Sequence, residues 1–238
     1  MTNHASERKP IPNRLLRLLQ LCDSGFPTGA FSFSNGLEGL TRLAPMRGEA
    51  ELLAAITTQV EEGLAGVELP AVVQAHRAAA DGDLARLLAL DGVTSALKPV
   101  EAFRAASRKV GRRFLESAAP LLSDPFLDLY AAAVRQGDAP RHHAVAFGVA
   151  LHAVGVDETT AALAFGAMGV QGQTAAAVRL GMIGQAAAQR LIDAIHPAVE
   201  AAVDSARRLD LDDFGAHQPM ADIAGFRQRT LDGRLFAS

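Results

Sequence analysis

The sequence predicts an all-α fold, a single compact bundle of roughly eight to ten helices, on three observations. The first is composition: 47 alanines stand against one tyrosine and no tryptophan. Alanine has the best helix propensity, whereas sheets lean on aromatic and β-branched residues. Second, apolar residues recur three and four apart in segment after segment, the spacing that one buried helical stripe requires. Third, nothing alternates with period two for long enough to make a strand. With 238 residues, 49% hydrophobic and 21% charged, the chain has ample core and an ordinary globular balance. Its formal net charge of −3 gives no global reason to expect nucleic acid or an anionic membrane surface.

Taken in order, residues 14–21 carry Leu15, Leu16, Leu18, Leu19 and Leu21, a short helix with a broad apolar face. Residues 50–66 set Leu52, Leu53, Ile56, Val60 and Leu64 on one stripe, and residues 95–122 do the same with Leu97, Val100, Phe103, Val110 and Phe114. Asp124 reads as an N-cap, with Pro125 at the first helical position, of a helix that passes Leu127 and Tyr130 and stops at Gly137. The next spans residues 143–154 and ends at Gly155, a left-handed cap. Asp157 caps a further helix expected to end between Gly169 and Gly172, with a separate one over residues 174–180. After the break Gly181-Met182-Ile183-Gly184, residues 185–209 bury Leu191, Ile192, Ile195, Val199, Val203 and Ala206. Pro197 removes a backbone donor there and is expected to kink or restart the helix.

These helices form one domain, residues 13–209, between a flexible N-terminal segment, residues 1–12, and a C-terminal tail, residues 210–238. The tail opens on acidic Asp210-Leu211-Asp212-Asp213, then scatters Met220, Ile223, Phe226, Leu231, Leu235 and Phe236 among Arg227, Arg229 and Arg234. So many large apolar side chains either dock on their own bundle or wait for a partner.

Most chemistry is absent. Cys22 is the one cysteine; alone it forms no internal disulfide and no zinc site, and it reads as a small buried hydrophobe. Residues 1–12 are polar and show no secretory leader, which leaves a cytoplasmic protein as the expectation. Residues 159–178 carry no charge, but alanine, glycine, Gln171 and Gln173 make the run too weakly apolar to span a membrane. Among the seven histidines no pair has the zincin spacing, and His143 and His152, nine apart, fall on opposite sides of one helix. Gly166, Gly169 and Gly172 lack the lysine of a phosphate loop. The pairs Glu61-Glu62 and Asp212-Asp213 read as solvated surface. No catalytic residue, metal site or cofactor follows.

Two features stand out. Arg104, Arg108 and Arg112 repeat every four residues beside Lys109 and Arg113, a basic ridge that is either a solvated face or a contact for phosphates or an acidic protein. A helical nucleic-acid-binding regulator is the alternative function it offers, although interleaved aromatics are missing. The second is Asp23-Ser24-Gly25-Phe26-Pro27-Thr28-Gly29-Ala30-Phe31-Ser32-Phe33-Ser34-Asn35-Gly36-Leu37-Glu38. It spends three phenylalanines and several glycines on a helix connection, with Asn35 and Glu38 spaced as a capping box. Such a loop has a defined shape, and either plugs the bundle with its phenylalanines or carries function.

This segment, with Leu18-Leu19-Gln20-Leu21 before it, resembles the N-terminal signature of the UreF family of urease accessory proteins. Two later blocks agree in order: Ala176-Ala177-Val178-Arg179-Leu180 with Gly184-Gln185 and Gln189-Arg190, then Met220-Ala221-Asp222-Ile223-Ala224 with Arg227 and Arg234-Leu235-Phe236. Phe33 stands where the family often has histidine, and Met182 where proline is common. The resemblance implies a non-enzymatic maturation factor that binds the accessory protein UreD (also UreH), recruits the GTPase UreG, self-associates as a homodimer and helps deliver nickel to apo-urease. It assigns partner contacts to Pro27, Thr28, Gly29, Phe31, Ser32, Ser34, Glu38, Arg179, Gln185, Met220, Ile223, Arg227, Arg234, Leu235 and Phe236. Within that set, the tail is expected to meet UreD/UreH, while Arg179, Gln185 and the loop are expected to meet UreG. Arg179 is left either as an exposed contact or as a buried structural charge.

Overall fold

Helices rich in small residues and apolar on one broad face can bury that face only against one another. The computed structural model describes residues 14–228 and 233–237, so the segment 1–12 and part of the tail lie outside it. The order is α1 (Arg14–Cys22), α2 (Leu37–Leu43), α3 (Glu49–Thr58), a π-helical stretch (Gln59–Glu68), α4 (Leu69–Asp81), α5 (Leu84–Ala96), α6 (Glu101–Leu122), α7 (Pro125–Gln136), α8 (His143–Val154), α9 (Glu158–Arg179), α10 (Gln185–Ala206) and α11 (Pro219–Gln228). Because α3, the π stretch and α4 run on without a break, the described residues form ten continuous α- or π-helical runs and two short 3-10 turns, and they contain no strand. The all-α expectation holds.

The centre is α8, with ten of its twelve residues buried. Such a helix, apolar all round, fits only inside a bundle; α4, α6 and α9 surround it, α10 lies along α9, and α11 packs on α2. The α4–α8 approach needs Gly148, where a Cβ would stand 2.4 Å from the Val72 carbonyl oxygen. At the entry to α8, the buried Asp91 carboxylate accepts from the Tyr130 hydroxyl at 2.7 Å and from the backbone N–H groups of Arg141 and His142 at 2.6 and 2.9 Å. One side chain of α5 thereby fixes the turn between α7 and α8.

Several boundaries differ from expectation for identifiable reasons. The helix expected over residues 95–122 is two, separated by residues 97–100. The glycines of α9 lie inside a single helix to Arg179: Gly166 sits against Val199 of α10, where a Cβ would be 2.7 Å from Cγ1, so they permit packing rather than ending the helix. Likewise α10 runs through Pro197 without a restart; Asp193, whose carbonyl loses its donor, is exposed, so solvent is free to supply one. The caps at Asp124, Gly137, Gly155 and Asp157 are as expected.

The π stretch ends beside a proline. Pro70 has no N–H, so the Gly66 carbonyl four residues back loses a helical donor. That carbonyl accepts instead from Gly215 at 3.0 Å, and the Glu62 carbonyl accepts from His217 at 3.3 Å. A Cβ at Gly66 would meet the Gly215 oxygen at 1.9 Å, so the glycine is what lets the chain cross here. This crossing delivers the tail to the face where α11 begins.

Burial also makes stability depend on pH. His142 is lowered to about 3 by burial, then by Lys98, Arg108, Arg104 and Arg141, and His143 to about 4 by burial. Both imidazoles are neutral in the folded protein, while the unfolded chain takes up protons below about 6.5. Stability is therefore full above pH 6.5 and falls as pH drops toward 4, by up to about 1.4 kcal/mol per pH unit for His142. Urea unfolding between pH 7.5 and 5 measures this; a flat or rising midpoint toward pH 5 would contradict it.

Candidate functional site

The loop after α1 is ordered by short-range geometry. Phe26 and Phe33 are buried, Phe26 against Phe114 at 5.5 Å between ring centroids and Phe33 with Ala106 and Val110. Phe31 is the exception: it is 69% exposed on the 3-10 turn Ala30–Ser32, so the plugging role falls to two phenylalanines only. Thr28 is buried and its Oγ1 accepts from the Ala30 N–H at 3.2 Å. Gly29, at φ 70°, lies so close to the Arg113 guanidinium that a Cβ would be 2.4 Å from it.

The capping box is not formed. Gly36, at φ 85° just before α2, is left-handed and gives no side-chain cap, while the buried Ser34 Oγ accepts from the Glu38 N–H at 3.4 Å. The Glu38 carboxylate, 1% exposed, turns the other way and meets the C-terminal tail. Its two oxygens accept from the backbone N–H groups of Leu235 at 2.8 Å and Phe236 at 3.1 Å. Arg42 stands 3.7 Å from the same carboxylate and gives a hydrogen bond to the Gly233 carbonyl at 3.3 Å. Beyond it, the Ala237 N–H donates to the Ser32 carbonyl at 2.9 Å.

Phe236 is buried, and the Arg179 guanidinium at the end of α9 lies 4.2 Å from its ring centroid. Arg179 is exposed, and partial burial draws its pKa down from the free value; it is a surface cation over the Phe236 ring and takes part in no buried ion pair among the described residues. Three segments far apart in sequence thus meet at one place: the loop, the end of α9 and the tail. A second joint lies beside the first. Phe103 of α6 fits against Gly36 of the loop and Gly225 of α11, where Cβ atoms would stand 2.9 and 2.6 Å from the ring. Gly39 likewise admits Ala224 to α2, since a Cβ there would be 2.8 Å from the Ala224 oxygen.

Of the residues singled out from sequence, Gly29, Ser32, Ser34, Glu38, Arg179, Leu235 and Phe236 come together at this joint. Pro27 and Arg234 are exposed near it in sequence. Met220, Ile223 and Arg227 occupy the outer face of α11 together with Phe226, while Ala221 and Ala224 face inward. Gln185 is exposed at the start of α10, and no described contact joins it to the others. The tail therefore docks on its own bundle through one face and leaves Met220, Ile223, Phe226 and Leu235 about half exposed on the other. Phe103 and Arg113 were read as core stripe and basic ridge and not as parts of this joint, and Gly39 and Gly225 were missed; Gly225, a glycine inside an apolar helical pattern, was a visible signal.

Other candidates fare differently. The basic ridge is drawn largely inward: Arg104 pairs with Glu101, Arg108 bonds Ser95, Lys109 lies 5.9 Å from the Phe33 ring centroid, Arg113 abuts Gly29, and of the five only Arg112 is exposed, 3.7 Å from Glu116. It presents no row of exposed cations to a nucleic acid, because α6 is packed against α8 and most of the ridge is only partly exposed. Among the described residues no group of three histidine, cysteine or acidic side chains is placed to hold a metal ion, and no helix is long and apolar enough to cross a membrane. Burial pushes the Cys22 thiol up to about 11, which keeps it protonated and inert.

The profile of the UreF family matches residues 46–196. Urease accessory protein UreF of Bacillus sp. (strain TB-90) is 31% identical over 226 residues, 95% of this chain and all of the relative. The protein of the same name from Paenarthrobacter aurescens is 34% identical over 230 residues, covering 94% of this chain and 97% of the relative. That from Methylobacterium radiotolerans is 32% identical, covering 94% and 96%.

The joint makes a measurable claim. Glu38→Ala strands the buried Phe236 N–H without an acceptor, a loss of about 1–3 kcal/mol. Amide exchange at Leu235, Phe236 and Ala237 should speed up by at least tenfold while exchange in α8 stays unchanged, and Glu38→Gln, which keeps one acceptor, should fall between. Unaltered exchange at all three amides would show that Glu38 does not hold the tail.

Proposed function

Because the chain belongs to the UreF family of urease accessory proteins, we propose that it is a non-enzymatic, cytoplasmic maturation factor that brings UreD/UreH and the GTPase UreG together on apo-urease for nickel insertion. The observation that carries this reading is the meeting of loop, Arg179 and tail around the buried Glu38 carboxylate, next to an apolar face that the bundle leaves open. An accessory protein works by presenting surface, and this is where the chain invests buried polar contacts to hold a surface in shape.

The outer face of α11 (Met220, Ile223, Phe226) with Leu235 is the docking surface for UreD/UreH. Burying side chains that are now half exposed stabilises a complex by about 1 kcal/mol each before ordering costs. Arg227 and Arg234 at its edge supply charge for orientation. The loop from Pro27 to Ser34, the Arg179 head and Gln185 form the surface for UreG. Among the described residues nothing accepts from the Arg179 donors, and its guanidinium lies 4.2 Å from the Phe236 ring centroid, a placement suited to a carboxylate or phosphate on a partner. Since the tail's N–H groups end on Glu38, whatever grips the tail also steadies the loop. Nickel is cargo in this reading, and a homodimer inside the larger complex belongs to the same proposal.

Co-purification with tagged UreD/UreH, with UreG added second, tests it. Met220→Lys with Phe226→Lys should reduce retention of the chain at least tenfold, as should deletion of residues 220–238, while Leu129→Lys, an exposed apolar site elsewhere, leaves it intact. Arg179→Ala should lose UreG but keep UreD/UreH, at a stability cost of about 1 kcal/mol or less. Full retention of both partners by the double variant and by the truncated chain would overturn the assignment.

A further inference from the structure

The seam between α4 and α8 is closed at one point and polar and open just beyond it. Gly148 brings the two helices together, since a Cβ there would lie 2.4 Å from the Val72 carbonyl oxygen and 2.9 Å from the Ala75 Cβ. One turn further along α8 stands His152, and the residue after Ala75 in α4 is His76. Their rings are in contact, with centroids 5.0 Å apart and planes at 86°. Both line one cavity of about 580 Å³, together with Arg14, Asp157 and Thr160. Neither ring has a part in the loop–tail joint.

His76 is fixed in place. It is buried, and its Nε2 lies 2.9 Å from the Val156 carbonyl oxygen. A carbonyl oxygen only accepts, so Nε2 carries the proton and the neutral ring keeps its lone pair on Nδ1. Metal-ligating histidines show this pattern, with the second nitrogen tied to a carbonyl or carboxylate that sets tautomer and orientation. The spacing of the rings fits as well. With metal–nitrogen bonds of about 2.0–2.1 Å, an ion lies about 3.2 Å from each ring centre, and a tetrahedral angle puts the centres about 5.2 Å apart. Asp157 is on the same wall, but Thr160 engages both its oxygens, through N–H at 2.9 Å and hydroxyl at 2.7 Å. Its charge offsets the Arg14 guanidinium beside it on the cavity lining.

We propose that His76 and His152 form a two-histidine site for a divalent first-row transition ion, zinc or a neighbour with the same preference for imidazole. His76 binds through Nδ1. No third protein ligand is placed for the ion among the described residues, so the other positions face the cavity and are completed by water or by a donor of a further ligand. Structural zinc sites are closed by four protein ligands; two leave an ion that is loaded and released. The site is independent of the urease accessory role.

The experiment is calorimetric titration of the full chain with zinc chloride at pH 7.5 in a non-chelating buffer. One site is expected that weakens at least tenfold in His152→Ala and in His76→Gln, whose amide keeps a donor for the Val156 carbonyl. His196→Ala and His217→Ala remove exposed histidines elsewhere and should leave that site unchanged, and magnesium should not compete for it. If His76→Gln fails to fold, the unaltered protein decides: ¹⁵N ring spectra should show the His76 Nδ1 signal moving to that of a metal-bound nitrogen as zinc is added, with Nε2 still protonated. No zinc binding, binding that survives both variants, equal weakening by His217→Ala, or His76 ring signals that zinc leaves in place would overturn the proposal.

Discussion

The rest of the candidate site depends on one buried carboxylate. Glu38 lies in the first turn of α2 at 1% exposure, a position that is costly for a charge unless several donors meet it. Those donors come from almost two hundred residues away, as the backbone N–H groups of Leu235 and Phe236, with Arg42 alongside. A carboxylate that needs the tail, and a tail segment whose N–H groups need a carboxylate, define each other's place. Without this exchange, Phe236 has no fixed seat beneath Arg179 and the loop loses its bond from Ala237 to Ser32.

Close approaches support this joint, each permitted by a missing side chain. Gly66 and Gly63 let the crossing segment lie on the π stretch, and Pro70 leaves the carbonyl that receives it. Gly39 admits α11, and Gly36 and Gly225 make room for Phe103. Glycine inside a helix costs about 1 kcal/mol relative to alanine, so these positions give up local stability for contact between distant segments. The outcome is a rigid bundle around α8 that carries an apolar face which the bundle does not cover, consistent with a protein that works by being bound.

Much of the fold was legible in the sequence because it rests on periodicity and caps. The Asp124, Gly137, Gly155 and Asp157 signals set real boundaries since each reflects backbone groups that need a partner at that spot. What failed was local chemistry overruled by distant contacts. Gly169 and Gly172 read as a helix end, yet α9 continues because packing on α10 and the π stretch supports it. Asn35 and Glu38 had the spacing of a capping box, but the carboxylate is claimed by a tail that no local pattern reveals. The arginine ridge had the right period for a surface, and only tertiary neighbours such as Ser95, Glu101 and Gly29 show that it is consumed. The three blocks that resemble the family were visible as words; that they touch was not, because contact between residues 38, 179 and 236 leaves no mark on spacing.

The central claim is that loop, Arg179 and tail form one unit whose outer surface is what partners grip. The most direct measurement is a hydrogen-exchange footprint of the full chain, free and bound to UreD/UreH. Slowed exchange over residues 220–237 accompanied by slowed exchange in residues 26–38, with α8 and α4 unchanged, is the predicted result. A footprint confined to other helices, or protection of the tail with no response in the loop, would contradict it.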